Sequence, residues 1–489
     1  MKSLREKILS DSLLLLGRTI LLRLIQIPVF IFVAKTVGPT NFGLLKLFEL
    51  IPGLAKYGNI DYSSVLVREI GKLSSKNDSE HSVERNVAFS ASIIWSLIIV
   101  VIISLGSLFV DSVIVQNGIL ISAVTLFLTS IGKLYLTNCK LIKNFKIIAS
   151  AEVIRGIVTA VITIGLVSIL GIYGPLFALL IGTIVMIFFL RKKITLKMSF
   201  FLEKNELWRQ TKIAIPLSLG TFAYGATTWL ERIMVTSFWG LEVLGYYMIL
   251  VTILMYIHMM VTSAVQAISV HIYDKLSNKC GSMDVINMLY IPTLTFAVLV
   301  PLLAAFVVFY LPLIINWILP EYTEALPLVE YIAINIWIFC LPSVYSVALN
   351  STYVNKQNLV IWLYLFSAVL FSSITIWSWK INFGIEAVLI ARAISLIFLA
   401  VSMILITSFA LEVKKKVLIK HMLDYFIPGI LAIFLVIFIE KNTAGFDLLI
   451  QIFLKPVLFI VMYSPVLVYW ERRTGTLSKF FELIHTKAP

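Results

Sequence analysis

Ten lysines and arginines interrupt stretches that are otherwise apolar: Arg18, Arg23, Lys35, Lys46, Lys56, Lys133, Arg155, Arg232, Arg392 and Lys455. Six carboxylates do the same, Glu49, Asp61, Glu152, Glu231, Glu330 and Glu386, with Glu440 and Asp447 near segment ends. A charge at the centre of a bilayer costs roughly 2.5 to 3.5 kcal/mol on insertion scales, so it faces a partner or a water-filled cavity. Spacing accounts for some of these groups. Lys46 and Glu49 stand three apart, as do Glu152 and Arg155, the separation of an intrahelical ion pair. Lys35, close to a segment end, can snorkel.

The remainder is cationic. Arg18 and Arg23 have no acidic residue three or four positions on, and at about 100° per residue they point about 140° apart. With Arg232 and Arg392 they would form a basic cavity, to which Lys46, Lys56, Lys133 and Arg155 are further candidates. A guanidinium pairs phosphate oxygens bidentately and keeps its charge, so the chemistry such a cavity suits is that of a diphosphate. Glu49, Asp61, Glu231 and Glu386 are candidates to take up H+ or Na+ when the cavity is empty; a salt bridge is the other common fate of a membrane carboxylate. Tyr224, Trp229, Tyr246, Tyr247, Trp337 and Tyr345 could contact sugar, although interfacial belts are the commoner use of such rings.

Membrane helices must position all of these residues. The chain has 489 residues, 60% hydrophobic and only 13% charged, where a soluble chain carries about 25% charged. Apolar segments of spanning length run 10–37, 44–67, 87–110, 117–138, 149–170, 173–190, 213–238, 243–270, 285–311, 326–353, 359–378, 385–410, 424–440 and 447–470. The N-terminus reads as an uncleaved first span, because Arg18 and Arg23 break the apolar run and no small-residue cleavage site follows. With the N-terminus placed in the cytoplasm, the cytoplasmic segments hold 28 Lys and Arg and the outer loops hold two, Lys380 and Lys441. That asymmetry fixes an orientation with both termini inside and an even number of spans. It also explains the net charge of +14 without nucleic acid. The three cysteines form no CxxC and no metal-type spacing. No phosphate-binding G-x-x-x-x-G-K-[ST] loop occurs. The outer loops are too short for a catalytic domain, which argues against a membrane polymerase or ligase, so the expectation is a transporter and not an enzyme, with no cofactor beyond a coupling ion.

An internal repeat shows in two stretches. "VAKTVGPTNFGLLKL" begins at Val33 and "VTSFWGLEVLGYYMI" at Val235; each has Val, Gly and Gly at the same three positions, 202 residues apart. Gly38-Pro39 and Gly240 read as tight turns between successive spans, and Gly43 and Gly245 as points of close helix approach. Copies in the same orientation imply parallel six-helix halves. The expected organisation is an N-lobe over 1–212, a C-lobe over 213–410, and two further helices with a tail over 411–489, divided at the basic linker 191–212.

These residues also carry a resemblance. "VGPTNFGLLKL" resembles the first-hairpin signature of the polysaccharide flippases. "AIPLSLGTFAYGATTWLERIMVTSFWGLEVLGYY" resembles their helix 7–8 segment, and "ILPEYTEALPLV" their outer loop before helix 10, with Pro320 where the family usually has Gly. The likeness extends over nearly the whole chain and identifies it as a member of the multidrug/oligosaccharidyl-lipid/polysaccharide exporter superfamily, most similar to Wzx-type O-antigen flippases. It implies an all-α polytopic fold of about fourteen helices, with two lobes in a V and two C-terminal helices that hold a lipid tail. It further implies residence in the bacterial inner membrane, and movement of undecaprenyl-diphosphate-linked oligosaccharide by alternating access. The partners implied are that lipid-linked substrate, membrane lipids and other polysaccharide-assembly proteins, with no nucleic acid and a monomer sufficient for the cycle. Within the superfamily the alternatives are a peptidoglycan-precursor flippase, whose helix-8 arginine has no counterpart here, and a drug/cation antiporter, whose cargo a basic cavity would repel.

Overall fold

The computed structural model describes residues 2–57, 60–70, 82–142, 144–194, 199–277, 282–351, 354, 356–443 and 445–475. No strand occurs among them. Contacts divide the chain into two compact units, Met1–Met248 and Ile249–Pro489.

The first unit contains α1 (Lys2–Phe48), α2 (Leu50–Tyr57), α3 (Tyr62–Ile70), α4 (Ser82–Ser107), α5 (Val113–Leu141), α6 (Phe145–Leu170), α7 (Tyr173–Lys193), α8 (Lys204–Trp239) and the start of α9 (Leu241–Ser277). The rest of α9 begins the second unit. It continues with α10 (Ser282–Ile318), a 3-10 turn at Pro320–Leu328, α11 (Val329–Cys340), α12 (Pro342–Leu349), α13 (Gln357–Lys380), α14 (Glu386–Ala410), α15 (Lys415–Thr443) and α16 (Leu448–Thr474). The unit boundary falls within α9, so α8, which the sequence assigns to the second half, packs against α2, α3 and α4 of the first unit.

Among the described residues, twelve helical segments are long and apolar enough to cross a membrane. The hairpin bent at Gly38 counts once in that number, as Leu21–Ala55. The polar α8, with Glu231 and Arg232 two turns from its end, does not count at all. Adding α8 and separating the two arms of the hairpin restores the expected fourteen. The second span is not one helix: it is interrupted at Glu49 and again before Tyr62. Broken backbone at membrane depth needs new hydrogen-bond partners. The second break has one, because the Asp61 N–H donates to Ser218 Oγ of α8 at 2.8 Å.

The two glycine turns share one backbone conformation. Gly38 has φ 72°, ψ 169° and Gly240 has φ 93°, ψ 173°, a region that residues with a Cβ avoid. Pro39 follows the first turn, where it opens the returning arm without needing an N–H partner. The two returning arms then meet. A Cβ on Gly43 would lie 2.1 Å from the Leu241 carbonyl oxygen, and one on Gly245 would lie 2.0 Å from the Pro39 carbonyl oxygen. Pro39 and Leu241 are themselves 202 residues apart, so each copy of the repeat touches the corresponding carbonyl of the other. The contact is reciprocal, backbone on backbone, and only glycine permits it.

Candidate functional site

In the first unit the membrane charges gather at two levels. One lies near the end where α5 finishes and α6 begins. Lys133 is eight residues before the last residue of α5 and Glu152 seven after the first residue of α6, which places each about 10–12 Å from its helix end. α1 packs along α6, and Arg18 forms an ion pair with Glu152. One turn further along each helix, Leu22 fills the notch at Gly156. The two helices therefore run parallel, as a first and a fifth span must. The i,i+3 spacing pointed instead to a pair between Glu152 and Arg155. No ion pair among the described residues involves Arg155, which leaves its charge uncompensated on the same helix one turn from Glu152.

Lys133 Nζ lies 3.0 Å from Asp61 Oδ2. Asp61 is 7% exposed and has structural work. It accepts from Ser63 Oγ, from Ser64 Oγ at 2.5 Å and from the Ser64 N–H at 3.2 Å, which caps the start of α3. Lys140, two turns past Lys133 on the same face of α5, is within electrostatic range of Glu152, Lys133, Asp61 and Arg18. This level thus holds three cations, Arg18, Lys133 and Arg155, against two carboxylates, Glu152 and Asp61, with Lys140 exposed at the end of α5 about 10 Å further along. Arg23 donates to Gln26 one turn along its own helix. Lys56 closes α2, and its side chain lies outside the described residues.

The second level lies about 10 Å from the Gly38 and Gly240 turns. Lys46 is 9% exposed. Its ammonium donates to both oxygens of Glu49, at 2.7 and 2.8 Å, and sits 5.1 Å from the centre of the Phe42 ring. Here the i,i+3 reading holds. Arg232 of α8 donates from Nη1 to the Lys46 carbonyl at 2.6 Å. Glu231, 1% exposed, accepts from the Tyr247 hydroxyl of α9. The Arg232 bond ties the two copies of the repeat together just beyond their glycine contact.

In the second unit Arg392 of α14 is 2% exposed, with its guanidinium 5.5 Å from the centre of the Phe339 ring. Phe339 stacks on His258 at 3.9 Å. The same two helices, α11 and α14, are joined by Asn335 Nδ2 donating to the Leu389 carbonyl at 3.0 Å. Glu386 opens α14, in the first turn where a carboxylate complements the helix dipole. An apolar cavity of about 70 Å³ lies between α10, α11 and α15, lined by Trp337, Gly429 and Glu330 among others.

The serines that satisfy Asp61 went unnoticed in the sequence, where Ser63, Ser64 and Ser218 look like ordinary helix residues. Their one signal is proximity to a carboxylate in a span.

Solved structures share this polytopic helical fold. The chain is similar to the lipid II flippase MurJ in an inward closed conformation, at 14% identity and TM-score 0.66 over 95% of this chain and 97% of that one. It is similar to an inward-facing multidrug resistance MATE family transporter of the MOP superfamily, at 14% identity and TM-score 0.61 over 83% and 99%. It also matches a MOP superfamily transporter from Pyrococcus furiosus, described as having a binding pocket of reverse polarity, at 14% identity and TM-score 0.61 over 83% and 95%. No curated protein matches the sequence. Residues 8–270 match the model of the polysaccharide biosynthesis protein family, and the chain belongs to that family.

Proposed function

We propose that this protein flips a diphosphate-linked lipid oligosaccharide, an O-antigen or capsular repeat unit on undecaprenyl diphosphate, across the bacterial inner membrane. The observation that carries the reading is the first charged level of the first unit. Its three cations and two carboxylates leave one positive charge in excess, and the exposed Lys140 at the end of α5 adds a second, against the two negative charges of a diphosphate esterified at both ends. Arg18 and Arg155 supply planar donors for phosphate oxygens, while Glu152 and Asp61 hold the cations in place when no substrate is bound. Arg23, Lys46, Arg232 and Arg392 are proposed as later contacts along the path. Glu49, Asp61, Glu231 and Glu386 are the proposed acceptors of a coupling H+ or Na+. The share of this chain covered by the lipid II flippase, 95% against 83% for the multidrug transporter, supports a lipid-linked cargo, since α15 and α16 then have counterparts.

Sidedness of the glycan tests the proposal. Cells depleted of the protein are converted to spheroplasts, and the lipid-linked glycan is labelled with a non-permeant lectin. The expected result is accumulation of unlabelled glycan, reversed by the wild-type chain but not by Arg18→Ala with Arg155→Ala. Unchanged sidedness on depletion would overturn it in favour of a smaller cargo.

A further inference from the structure

The segment joining α7 to α8 is fastened as a surface. The Ser199 N–H donates to Asn86 Oδ1 at 3.0 Å and the Phe201 N–H to Ser90 Oγ at 2.8 Å, both on the first turns of α4. At the start of α8, Gln210 Nε2 donates to the Glu84 carbonyl at 3.0 Å and to Glu206 Oε1 at 2.7 Å. With its backbone held against α4 at Ser199 and Phe201, the stretch leading into α8 turns apolar side chains outward: Phe200 is 62% exposed, Phe201 45%, Leu202 42% and Trp208 61%. A water-facing loop would not present such a patch.

Trp208 fixes the depth of this patch. It begins a stripe continued by Ile215, Leu219 and Phe222, all exposed, at steps of seven, four and three that keep to one helical face. In a membrane helix that face meets lipid, and Trp208 ends it, at the headgroup level where tryptophan concentrates. Lys212 Nζ lies 5.2 Å from the centre of the Trp208 ring. Arg191, Lys192 and Lys193 at the end of α7 and Lys204 and Arg209 at the start of α8 are exposed. Residues 191–212 contain seven basic residues and two acidic ones.

We propose that this segment is a docking platform for anionic phospholipid. The aromatic side chains and Leu202 enter the boundary between headgroups and acyl chains, and the basic residues gather lipid phosphates above them. Apolar insertion and positive charge in one fastened segment are the two components of binding to an anionic membrane surface. The inference is independent of which substrate is transported.

The test uses the full chain in phosphatidylcholine vesicles carrying either brominated phosphatidylglycerol or brominated phosphatidylcholine at equal mole fraction. Emission from Trp208 is the difference between wild type and Trp208→Phe. Each engaged basic residue is worth about fivefold in lipid preference. Quenching of Trp208 should therefore favour the brominated anionic lipid by at least about fivefold at low salt, and the preference should shrink as salt rises. Replacing Lys192, Lys193, Lys204 and Lys212 together by Gln should cut the preference by at least about fivefold and leave quenching by brominated phosphatidylcholine. The proposal is overturned if Trp208 is quenched by neither lipid, which would assign the patch to a protein partner. Equal quenching of wild type by both lipids, or a quadruple variant that keeps the preference, would also overturn it.

Discussion

Lys133 and Asp61 are a pair of unequal burial, the lysine side chain 32% exposed and the aspartate side chain 7%. Removing Lys133 leaves a carboxylate that is 7% exposed without its counter-charge. Removing one partner of a buried pair is far costlier than replacing both. Lys133→Ala is therefore expected to destabilise the protein by about 3 kcal/mol, read as a lower thermal midpoint in detergent, with most of the loss recovered by adding Asp61→Asn. A Lys133→Ala protein that melts like wild type would show that Asp61 is satisfied by its serines alone. Arg18 and Glu152 make a complementary case. Glu152→Gln frees the guanidinium, so it should keep or strengthen binding of a diphosphate probe. Arg18→Ala should weaken that binding, and equal losses from both variants would mark the pair as a structural brace. The candidates themselves were legible in the sequence, because a charge in an apolar run announces itself. Their partners were not. Spacing found Lys46 with Glu49, a contact within one helix, and missed Arg18 with Glu152, which needs α1 and α6 side by side and parallel.

Among the elements, the hairpins at Gly38 and Gly240 were the most readable. A repeated Gly pattern at a fixed offset is visible in one sequence, and the shared positive φ gives it a physical cause. What could not be read is that the two hairpins touch each other through Gly43 and Gly245. Either glycine replaced by alanine would drive a methyl group into a carbonyl. Gly43→Ala and Gly245→Ala should each lower the thermal midpoint, and the double variant should cost less than the sum, since the first already separates the arms. Strict additivity would contradict a shared contact. The start of α8 offers a pH test. Burial raises the affinity of Glu206 for a proton, but the hydrogen bonds from Arg209 and Gln210 and the Arg209 charge outweigh it and hold the carboxyl below its usual range. A depressed carboxyl stabilises the fold at neutral pH and stops doing so as pH falls through its folded value. The midpoint should drop below about pH 4, and Glu206→Gln should flatten that drop. An unchanged acid limb in Glu206→Gln would place the loss elsewhere.

For the chain as a whole, hydropathy was enough to reach an all-helical polytopic fold, because every backbone group in a bilayer must find its bond within a helix. With the charge asymmetry of the loops it was also enough to number the spans, although α8 and the broken second span are too polar to stand out. The chemistry of the cargo is less legible, because it depends on which charges share a level, and that is set by contacts between distant helices. The excess of positive charge around the first level of the first unit is the basis on which a diphosphate is proposed. It is tested by purified protein in liposomes seeded on both leaflets with undecaprenyl-diphosphate-linked glycan and treated with an external glycosidase. Wild type should bring nearly all of the glycan within reach of the enzyme. Liposomes without protein, or with a folded Arg18→Ala/Lys133→Ala/Asp61→Asn/Arg155→Ala variant, should stop at the outer-leaflet share. A wild-type protein that also stops there, or a variant that matches wild type, would contradict the assignment.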